Sequence, residues 1–176
     1  LKEINEQYKT TLVYVTHDQN EAMTFADNII VMDQGEIVQV GLPKDLFERP
    51  KTTFVGYFIG SPAMNLLDSN ISSDYEIKLD NYKIKTNTNL SKLKSDEIKL
   101  GIRSEFIQIA KGQAENVIKT SIKKIEDFGN FKLLTTQIGK FTIKTKVRRE
   151  VEIPSENIEL FFPADKCCVY YENKLI

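Results

Sequence analysis

Residues 14–23 read YVTHDQNEAM, and this stretch contains His17, the only histidine of the 176-residue chain. The apolar run Leu12–Val15 before it predicts a strand covered on both faces, because the run is uninterrupted and two of its residues are β-branched. Asp18, with Glu21 three residues later, predicts a helix that begins with an N-cap and a capping-box partner. His17 is therefore predicted to lie between a buried strand and a helix, at the edge where α/β sheets bind ligands.

The remainder of the first sixty residues continues this pattern. Residues 29–32 predict a second buried strand, and a turn at 33–36 leads into 37–40 as its hairpin partner. Pro43 opens a short helix, and a further helix is predicted to begin at residue 52 or 53 and end at 59. This order of strands and helices indicates an α/β unit.

After a break at Gly60-Ser61-Pro62 the hydrophobic period changes to two, and no helix of any length is predicted. Short alternating segments are separated by turns, among them Asp80-Asn81 and residues 128–130. The phase slips once, at Val117-Ile118, which predicts a β-bulge. Such a pattern predicts a small barrel or sandwich, whose alternating segments are 75–79, 82–84, 98–102, 117–125, 131–138 and 141–147.

The composition narrows the classes of function. A net charge of −1 argues against a nucleic-acid binder held by charge. Residues 1–60 carry 5 basic and 9 acidic side chains, whereas residues 61–176 carry 19 and 16, a shift that supports two domains. No apolar run approaches the ~20 residues of a membrane span.

The only cysteines, Cys167 and Cys168, are adjacent in the sequence. Adjacent cysteines rarely bridge each other, and the chain has no C-x-x-C spacing that would indicate a zinc or redox site. We interpret them as two small apolar residues in a strand. Reduced cysteines of this kind fit a cytosolic setting.

The first 65 residues resemble one family. YVTHDQ at 14–19, with EAM at 21–23, is similar to the switch-histidine loop of ABC-transporter ATPases, and residues 29–43 resemble the segment that follows this loop. FIGSPAMN at 58–65 is more specific, because it resembles the junction of the maltose-type, multiple-sugar and glycerol-phosphate branch. The resemblance implies that residues 1–60 are the α/β remnant of a P-loop ATPase domain.

The resemblance continues collinearly after residue 65. LGIRSE at 100–105 is similar to that branch's LGIRPE, with Ser104 where proline is usual, and IEDFGN at 125–130 resembles a later turn of the same domain. It implies that residues 61–176 form an all-β OB-type barrel, a TOBE regulatory and dimerisation domain.

Several motifs of the family have no counterpart in this sequence. It contains no G-x-x-x-x-G-K-[ST] phosphate loop, no LSGGQ signature, no Asp-Glu pair ending a hydrophobic strand and no glutamine loop. In the family these motifs precede the histidine loop, and Leu1 falls inside a helical pattern. We therefore expect the chain to be the C-terminal part of a longer ATPase, inactive by itself and without measurable ATP affinity.

The resemblance assigns His17 as the switch histidine, which contacts the γ-phosphate of ATP in the full-length protein. ATP and Mg²⁺ are the implied cofactors there, and none is expected for this chain alone. The implied assembly is a homodimer on the cytoplasmic face of the cell membrane, docked on two permease subunits that import a sugar, an oligosaccharide or glycerol phosphate. A regulatory protein on the OB-type domain is a further implied partner, and nucleic acid is not.

Alternatives stay open at several positions. The chain as a whole could be a free-standing TOBE/OB-type module that binds a small oxyanion or sugar. Asp18 is interpreted as an N-cap, with tuning of His17 as the alternative, and Gly35 as a turn residue. Arg103 with Glu105 is interpreted as a structural salt bridge rather than a substrate clamp. The lysines of one strand are interpreted as a solvated face, with a surface for a regulatory protein as the alternative; they are Lys140, Lys144 and Lys146.

Overall fold

The computed structural model describes residues 7–93 and 97–176. Within the described residues 7–60, which we call the N-terminal unit, a β-hairpin packs with the three short helices given below. One cluster of buried side chains, among them Val31, Leu46 and Val55, holds these elements together. In chain order they are α1 (Gln19–Phe25), β1 (Ile29–Asp33), β2 (Glu36–Gly41), α2 (Pro43–Glu48) and α3 (Thr53–Phe58).

The predicted hairpin is confirmed, but its first strand is buried on one face only. Ile29 and Val31 face the helices and are buried, whereas Ile30 and Met32 are more than half exposed. Their cross-strand partners on β2 carry further exposed apolar side chains. The prediction of burial on both faces was wrong because, among the described residues, only the face of Ile29 and Val31 has elements packed against it.

The prediction of a buried strand at Leu12–Val15 was also wrong. These residues belong to no strand or helix, and their side chains are between 51% and 89% exposed. A strand needs a second strand to satisfy its backbone hydrogen bonds, and no described strand pairs with this segment. The local pattern was correctly identified as apolar and β-branched, but the neighbours that would bury it are not among the described elements.

Residues 61–176, which we call the β unit, form two antiparallel sheets. The six-stranded sheet has the order β13-β12-β6-β3-β4-β5, and the five-stranded sheet has the order β10-β9-β8-β11-β7. The strands are β3 (Asn65–Ser73), β4 (Glu76–Leu79), β5 (Tyr82–Lys85), β6 (Glu97–Ile102), β7 (Gln108–Ile109), β8 (Val117–Asp127), β9 (Phe131–Ile138), β10 (Phe141–Arg148), β11 (Asn157–Phe161), β12 (Cys168–Tyr171) and β13 (Lys174–Leu175).

The predicted alternation places the core of the β unit correctly. Ile77, Ile84 and Leu100 from one sheet and Ile143 from the other are fully buried in a single cluster. The turn at Asp80-Asn81 joins β4 to β5 as predicted. In the described residues after Phe58 the only helical segment is the 3₁₀ turn Ala164–Lys166, as expected.

One irregularity was predicted at the wrong place. The bulge of β8 lies between Ile122 and Lys124, where the register with β9 shifts, and not at Val117-Ile118. Val117 and Ile118 pair regularly with β11. The first residues of β8 are thus in step with their neighbour strand, and the extra residue is accommodated further along.

Two asparagine side chains close the seams between the sheets. Asn65 of β3 exchanges two hydrogen bonds with the backbone of Lys144 on β10, the edge strand of the other sheet. Asn116 does the same with the backbone of Lys85 on the edge strand β5. A side-chain amide has the donor and acceptor of a peptide group. Each asparagine therefore binds the edge strand as a residue of a neighbouring strand would.

Candidate functional site

The loop that carries His17 lies at the surface, between Leu12–Val15 and α1. Its imidazole side chain is exposed. Asp18 is the N-cap of α1, as predicted: its Oδ1 accepts from the backbone N–H of Asn20 at 2.8 Å and of Glu21 at 3.4 Å. The cap fixes where the helix begins and therefore where the His17 backbone turns.

The expected capping box does not form. The Glu21 carboxylate accepts instead from the Thr16 hydroxyl at 2.8 Å and from the Tyr14 hydroxyl at 3.3 Å. The Asp18 N–H, which the glutamate was predicted to bind, donates to Thr16 Oγ1 at 3.0 Å. The negative charge of Glu21 raises the pKa of the Tyr14 phenol. Glu21 thus holds the residues before His17 rather than the N-cap, whose N–H is bound by the Thr16 hydroxyl instead.

A residue that the sequence did not single out ties this loop to the end of the N-terminal unit. Gln19, the first residue of α1, accepts through Oε1 from the backbone N–H of Gly60 at 2.8 Å. The two residues are 41 positions apart, so no local pattern could reveal the contact. The resemblance at 14–19 and at 58–65 covers both partners, and this was the one signal available.

Arg103 is not paired with Glu105, and the predicted salt bridge was wrong. Its side chain is fully buried and donates through Nε to the carbonyl of Phe47 at 2.8 Å, and through one terminal nitrogen to the carbonyls of Gly56, at 2.8 Å, and of Ile59. These carbonyls lie in the last turns of α2 and α3. The helix ends leave carbonyls without intrahelical partners, and a cation satisfies them well. Arg103 therefore attaches both helices to the β unit.

The surroundings of Arg103 explain why it can remain buried. Its guanidinium lies 4.6 Å from the centre of the Phe47 ring. Burial lowers its pKa, but a guanidinium stays charged at neutral pH. The other terminal nitrogen has no hydrogen-bond partner. A carbonyl-lined site favours arginine because its planar group donates in several directions at once.

Glu105 has a different partner. Lys146 donates to its carboxylate at 2.7 Å and to the carbonyl of Ser61, also at 2.7 Å. Lys146 is therefore a bridging residue rather than part of a solvated face. Lys140 and Lys144 are exposed, as predicted.

Two surface grooves, of about 520 Å³ and 900 Å³, lie apart from the histidine loop. The smaller runs along the contact between the two units and is lined by residues such as Thr52, Tyr57 and Lys99. Lys140 lines the larger groove, together with Asp68 and Tyr171. Neither groove contains His17 or Arg103. The grooves thus do not bring the predicted site residues together.

The residues present do not form a nucleotide site by themselves. His17 could supply one donor to a phosphate oxygen, but no glycine-rich loop or lysine of a phosphate loop exists in the sequence to hold a triphosphate. Within residues 7–93 and 97–176, no group of three or more His, Cys, Asp or Glu could hold a metal ion. In the same ranges no helix is long and apolar enough to cross a membrane.

The two cysteines are buried and not disulfide-bonded. Burial raises the pKa of Cys167 to about 12 and also raises that of Cys168. Cys168 belongs to β12, and its thiol contacts the carbonyl of Glu48 at the end of α2. The interpretation as small buried residues is confirmed for both, but only Cys168 lies in a strand; Cys167 ends the 3₁₀ turn before β12.

Comparison with known proteins gives consistent relatives over most of the chain. It is 33% identical over 171 residues to the trehalose/maltose import ATP-binding protein MalK of Thermococcus litoralis, covering 87% of this chain and 46% of that protein. It is 40% identical over 134 residues to the sn-glycerol-3-phosphate import ATP-binding protein UgpC of Psychromonas ingrahamii, covering 73% of this chain and 33% of that protein. The chain is a relative of the ATP-binding subunits of ABC importers.

A third relative of these importer subunits is the sulfoquinovosyl glycerol transport ATP-binding protein SmoE of Agrobacterium fabrum. The identity is 31% over 174 residues, which cover 97% of this chain and 48% of that protein. The chain thus spans between a third and a half of the length of these relatives. No protein-family model matches it. The resemblance to the sugar and glycerol-phosphate branch of the importer ATPases is confirmed by these names.

The chain has a counterpart among solved structures. A cytoplasmic molybdate-binding protein, ModG, solved with molybdate bound, superposes with a TM-score of 0.52 over 60% of this chain and 94% of that one. Sequence identity is 14%, so the similarity is one of fold. It supports the predicted OB-type fold.

Proposed function

We propose that this chain is the C-terminal part of the ATP-hydrolysing subunit of an ABC importer for sugars, oligosaccharides or glycerol phosphate. The similarity to the trehalose/maltose import protein over 171 residues carries the proposal. Residues 1–60 are assigned to the end of the P-loop ATPase domain. Residues 61–176 are assigned to the OB-type/TOBE regulatory and dimerisation domain.

In the complete protein, His17 is the residue of this chain that contacts ATP. Its exposed imidazole can donate a hydrogen bond to a phosphate oxygen. Asp18 fixes the start of α1 directly after it. The other groups that bind the triphosphate and Mg²⁺ have to come from outside this chain, so the chain alone is expected to hydrolyse no ATP.

The proposed assembly follows from the same assignment. The complete subunit acts as a homodimer on the cytoplasmic face of the membrane, docked on two permease subunits. The β unit provides the dimer contact and a surface for a regulatory protein. The nature of the cargo is left at the class that the relatives' names share, namely sugars and glycerol phosphates.

The test has two parts. The gene upstream of Leu1 is sequenced, and ATP hydrolysis is measured on the complete protein that it encodes. An in-frame phosphate loop, signature motif and Asp-Glu strand end are expected before Leu1. In that protein His17→Ala should lower the ATPase rate at least about a hundredfold, as losing one transition-state donor does elsewhere. Asp27→Ala, at an exposed position ten residues along, is the control and should keep the rate. Missing motifs, or an unchanged rate in His17→Ala, would overturn the assignment.

The free-standing binding module is the less favoured reading. The molybdate-binding protein shares the fold of the β unit, but at 14% identity a fold does not carry its ligand across. The N-terminal unit is included in the match to the importer ATPases, and a binding module would not need it.

A further inference from the structure

One peptide group is held at both ends by side chains from different parts of the chain. Its carbonyl, that of Ile59, accepts from the guanidinium of Arg103, at the end of β6. Its N–H, that of Gly60, donates to Oε1 of Gln19 at 2.8 Å. The Ile59–Gly60 peptide therefore connects the β unit directly to the helix that follows His17.

The surroundings leave this peptide little freedom. Ile59 and Arg103 are buried. A Cβ placed on Gly60 would lie 3.0 Å from the guanidinium of Arg103 and 3.2 Å from the Phe47 ring, and Gly60 has a φ of +95°. Any other residue at position 60 would be strained. A displacement of Arg103 therefore acts on this peptide, and through it on Gln19.

Gln19 is close enough to His17 to pass on such a shift. It is the first residue of α1 and follows His17 by two positions, with the N-cap Asp18 between them. Two further hydrogen bonds of the loop, from Thr16 and Tyr14 to Glu21, also end on α1. The position of His17 thus depends on the position of the first turn of α1, and Gln19 fixes that turn to Gly60.

We propose that Gln19 is a positioning residue for His17, and that the Ile59–Gly60 peptide transmits displacements of the β unit to the histidine loop. A cation on the carbonyl polarises the peptide and strengthens its N–H as a donor, so the two hydrogen bonds support each other. The inference deepens the proposed function, on which its biological meaning rests: a signal received by the β unit would reach the phosphate-contacting histidine through this peptide.

The first experiment removes the acceptor on α1. Gln19→Met keeps the length of the side chain but cannot accept from Gly60. Gln19→Glu keeps an acceptor oxygen and is the matched rescue. Amide hydrogen exchange of Gly60 should be about tenfold faster in Gln19→Met, the size expected for one lost hydrogen bond, and near wild type in Gln19→Glu. The His17 ring resonances, which are unique in this chain, should shift in Gln19→Met and return in Gln19→Glu.

The second experiment changes Arg103, which donates to the carbonyl of the peptide. Arg103→Lys keeps the charge, but its donors lie on one nitrogen at the end of a shorter side chain rather than on a planar guanidinium that reaches the ends of both helices. It should therefore shift the His17 ring resonances although it lies in the β unit. Ile118→Val, a buried change elsewhere in the β unit, is the control for general loss of stability and should leave these resonances in place. Unchanged His17 resonances in both Gln19→Met and Arg103→Lys would overturn the proposal, as would an equal shift in Ile118→Val.

These measurements need no nucleotide, so their outcome is separate from that of the ATPase assay. If the resonances respond as expected and the complete protein hydrolyses no ATP, the connection exists and the proposed function fails. If they do not respond and His17→Ala abolishes hydrolysis, the proposed function stands and the connection fails.

Discussion

Asn65 binds the backbone of Lys144 as a neighbouring strand would: its Nδ2 donates to the carbonyl at 2.9 Å, and its Oδ1 accepts from the N–H at 2.8 Å. The same Nδ2 also donates to the carbonyl of Ile102 at 3.2 Å. Asn65 is buried, so water cannot easily replace these contacts. One side chain therefore joins β3, β6 and the edge strand β10.

Removal of this amide should destabilise the β unit. Asn65→Ala leaves the N–H and carbonyl of Lys144 without partners in a partly buried seam, and each such group costs about 1–3 kcal/mol. We expect the free energy of unfolding to fall by about 3 kcal/mol in urea titrations followed by circular dichroism. Asn87→Ala, at an exposed loop position, should stay within about 0.5 kcal/mol. A loss for Asn65→Ala as small as that of the control would contradict the role of the seam.

Arg103 and Glu105 should behave as independent residues. Arg103→Met removes the donors to the ends of both helices and should lower the free energy of unfolding by about 3 kcal/mol, since hydrogen bonds to charged groups contribute about 1.5–3 kcal/mol each. Glu105→Gln weakens only its half-exposed pair with Lys146, and should cost less than about 1 kcal/mol. The double variant should equal the sum of the single ones. A large coupling energy between the two substitutions would contradict this independence and support the Arg103–Glu105 ion pair predicted from the sequence.

The protein should lose stability in alkali. Burial raises the pKa of Cys167 to about 12, above its ordinary value of 9.0, and the pKa of Cys168 and Tyr170 is raised as well. Between pH 9 and 12 the unfolded chain therefore releases protons that the folded chain keeps. The stability is fully present below pH 9 and falls as the pH rises, for Cys167 alone by about 1.4 kcal/mol per pH unit. Urea midpoints measured at pH 8, 9.5 and 10.5 would show the slope, and Cys167→Ala should make it shallower. An equally steep slope in that variant would exclude Cys167 as its source.

The sequence predicted those features whose causes are local. The cap at Asp18, the hairpin of β1 and β2, and the alternation of the β unit each depend on residues within a few positions of one another. The prediction of a buried strand at Leu12–Val15 failed because an apolar run becomes a buried strand only when other elements cover it. Arg103 was paired with its neighbour in sequence, although its partners are carbonyls 44 to 56 positions away. The contact of Gln19 with Gly60 depends in the same way on the fold and had no local signal.

Two exposed surfaces are candidate dimer contacts, and the oligomeric state of the chain and its variants distinguishes them. We expect dimers through the β unit, seen by light scattering at high concentration. The hairpin offers a competing apolar face, because Ile30, Met32, Ile37 and Val40 are all about half exposed or more. Ile37→Lys would disrupt a dimer on that face and leave one through the β unit intact. A clean monomer at high concentration would contradict dimerisation, and a dimer dissociated by Ile37→Lys would move the contact to the hairpin.

Binding of small ligands tests whether the chain is part of an importer ATPase or a free-standing binding module. His17 is exposed, and no phosphate loop is present to hold ATP beside it. We therefore expect titration calorimetry with MgATP to give no measurable heat of binding. The same absence is expected with molybdate, sulfate, maltose and glycerol phosphate, because both grooves are open to solvent and charges of both signs line the larger one. His17→Ala should change neither these results nor, by more than about 0.5 kcal/mol, the free energy of unfolding. Tight binding of an oxyanion or sugar, unaffected by His17→Ala, would make the β unit the functional site and the histidine loop incidental to it.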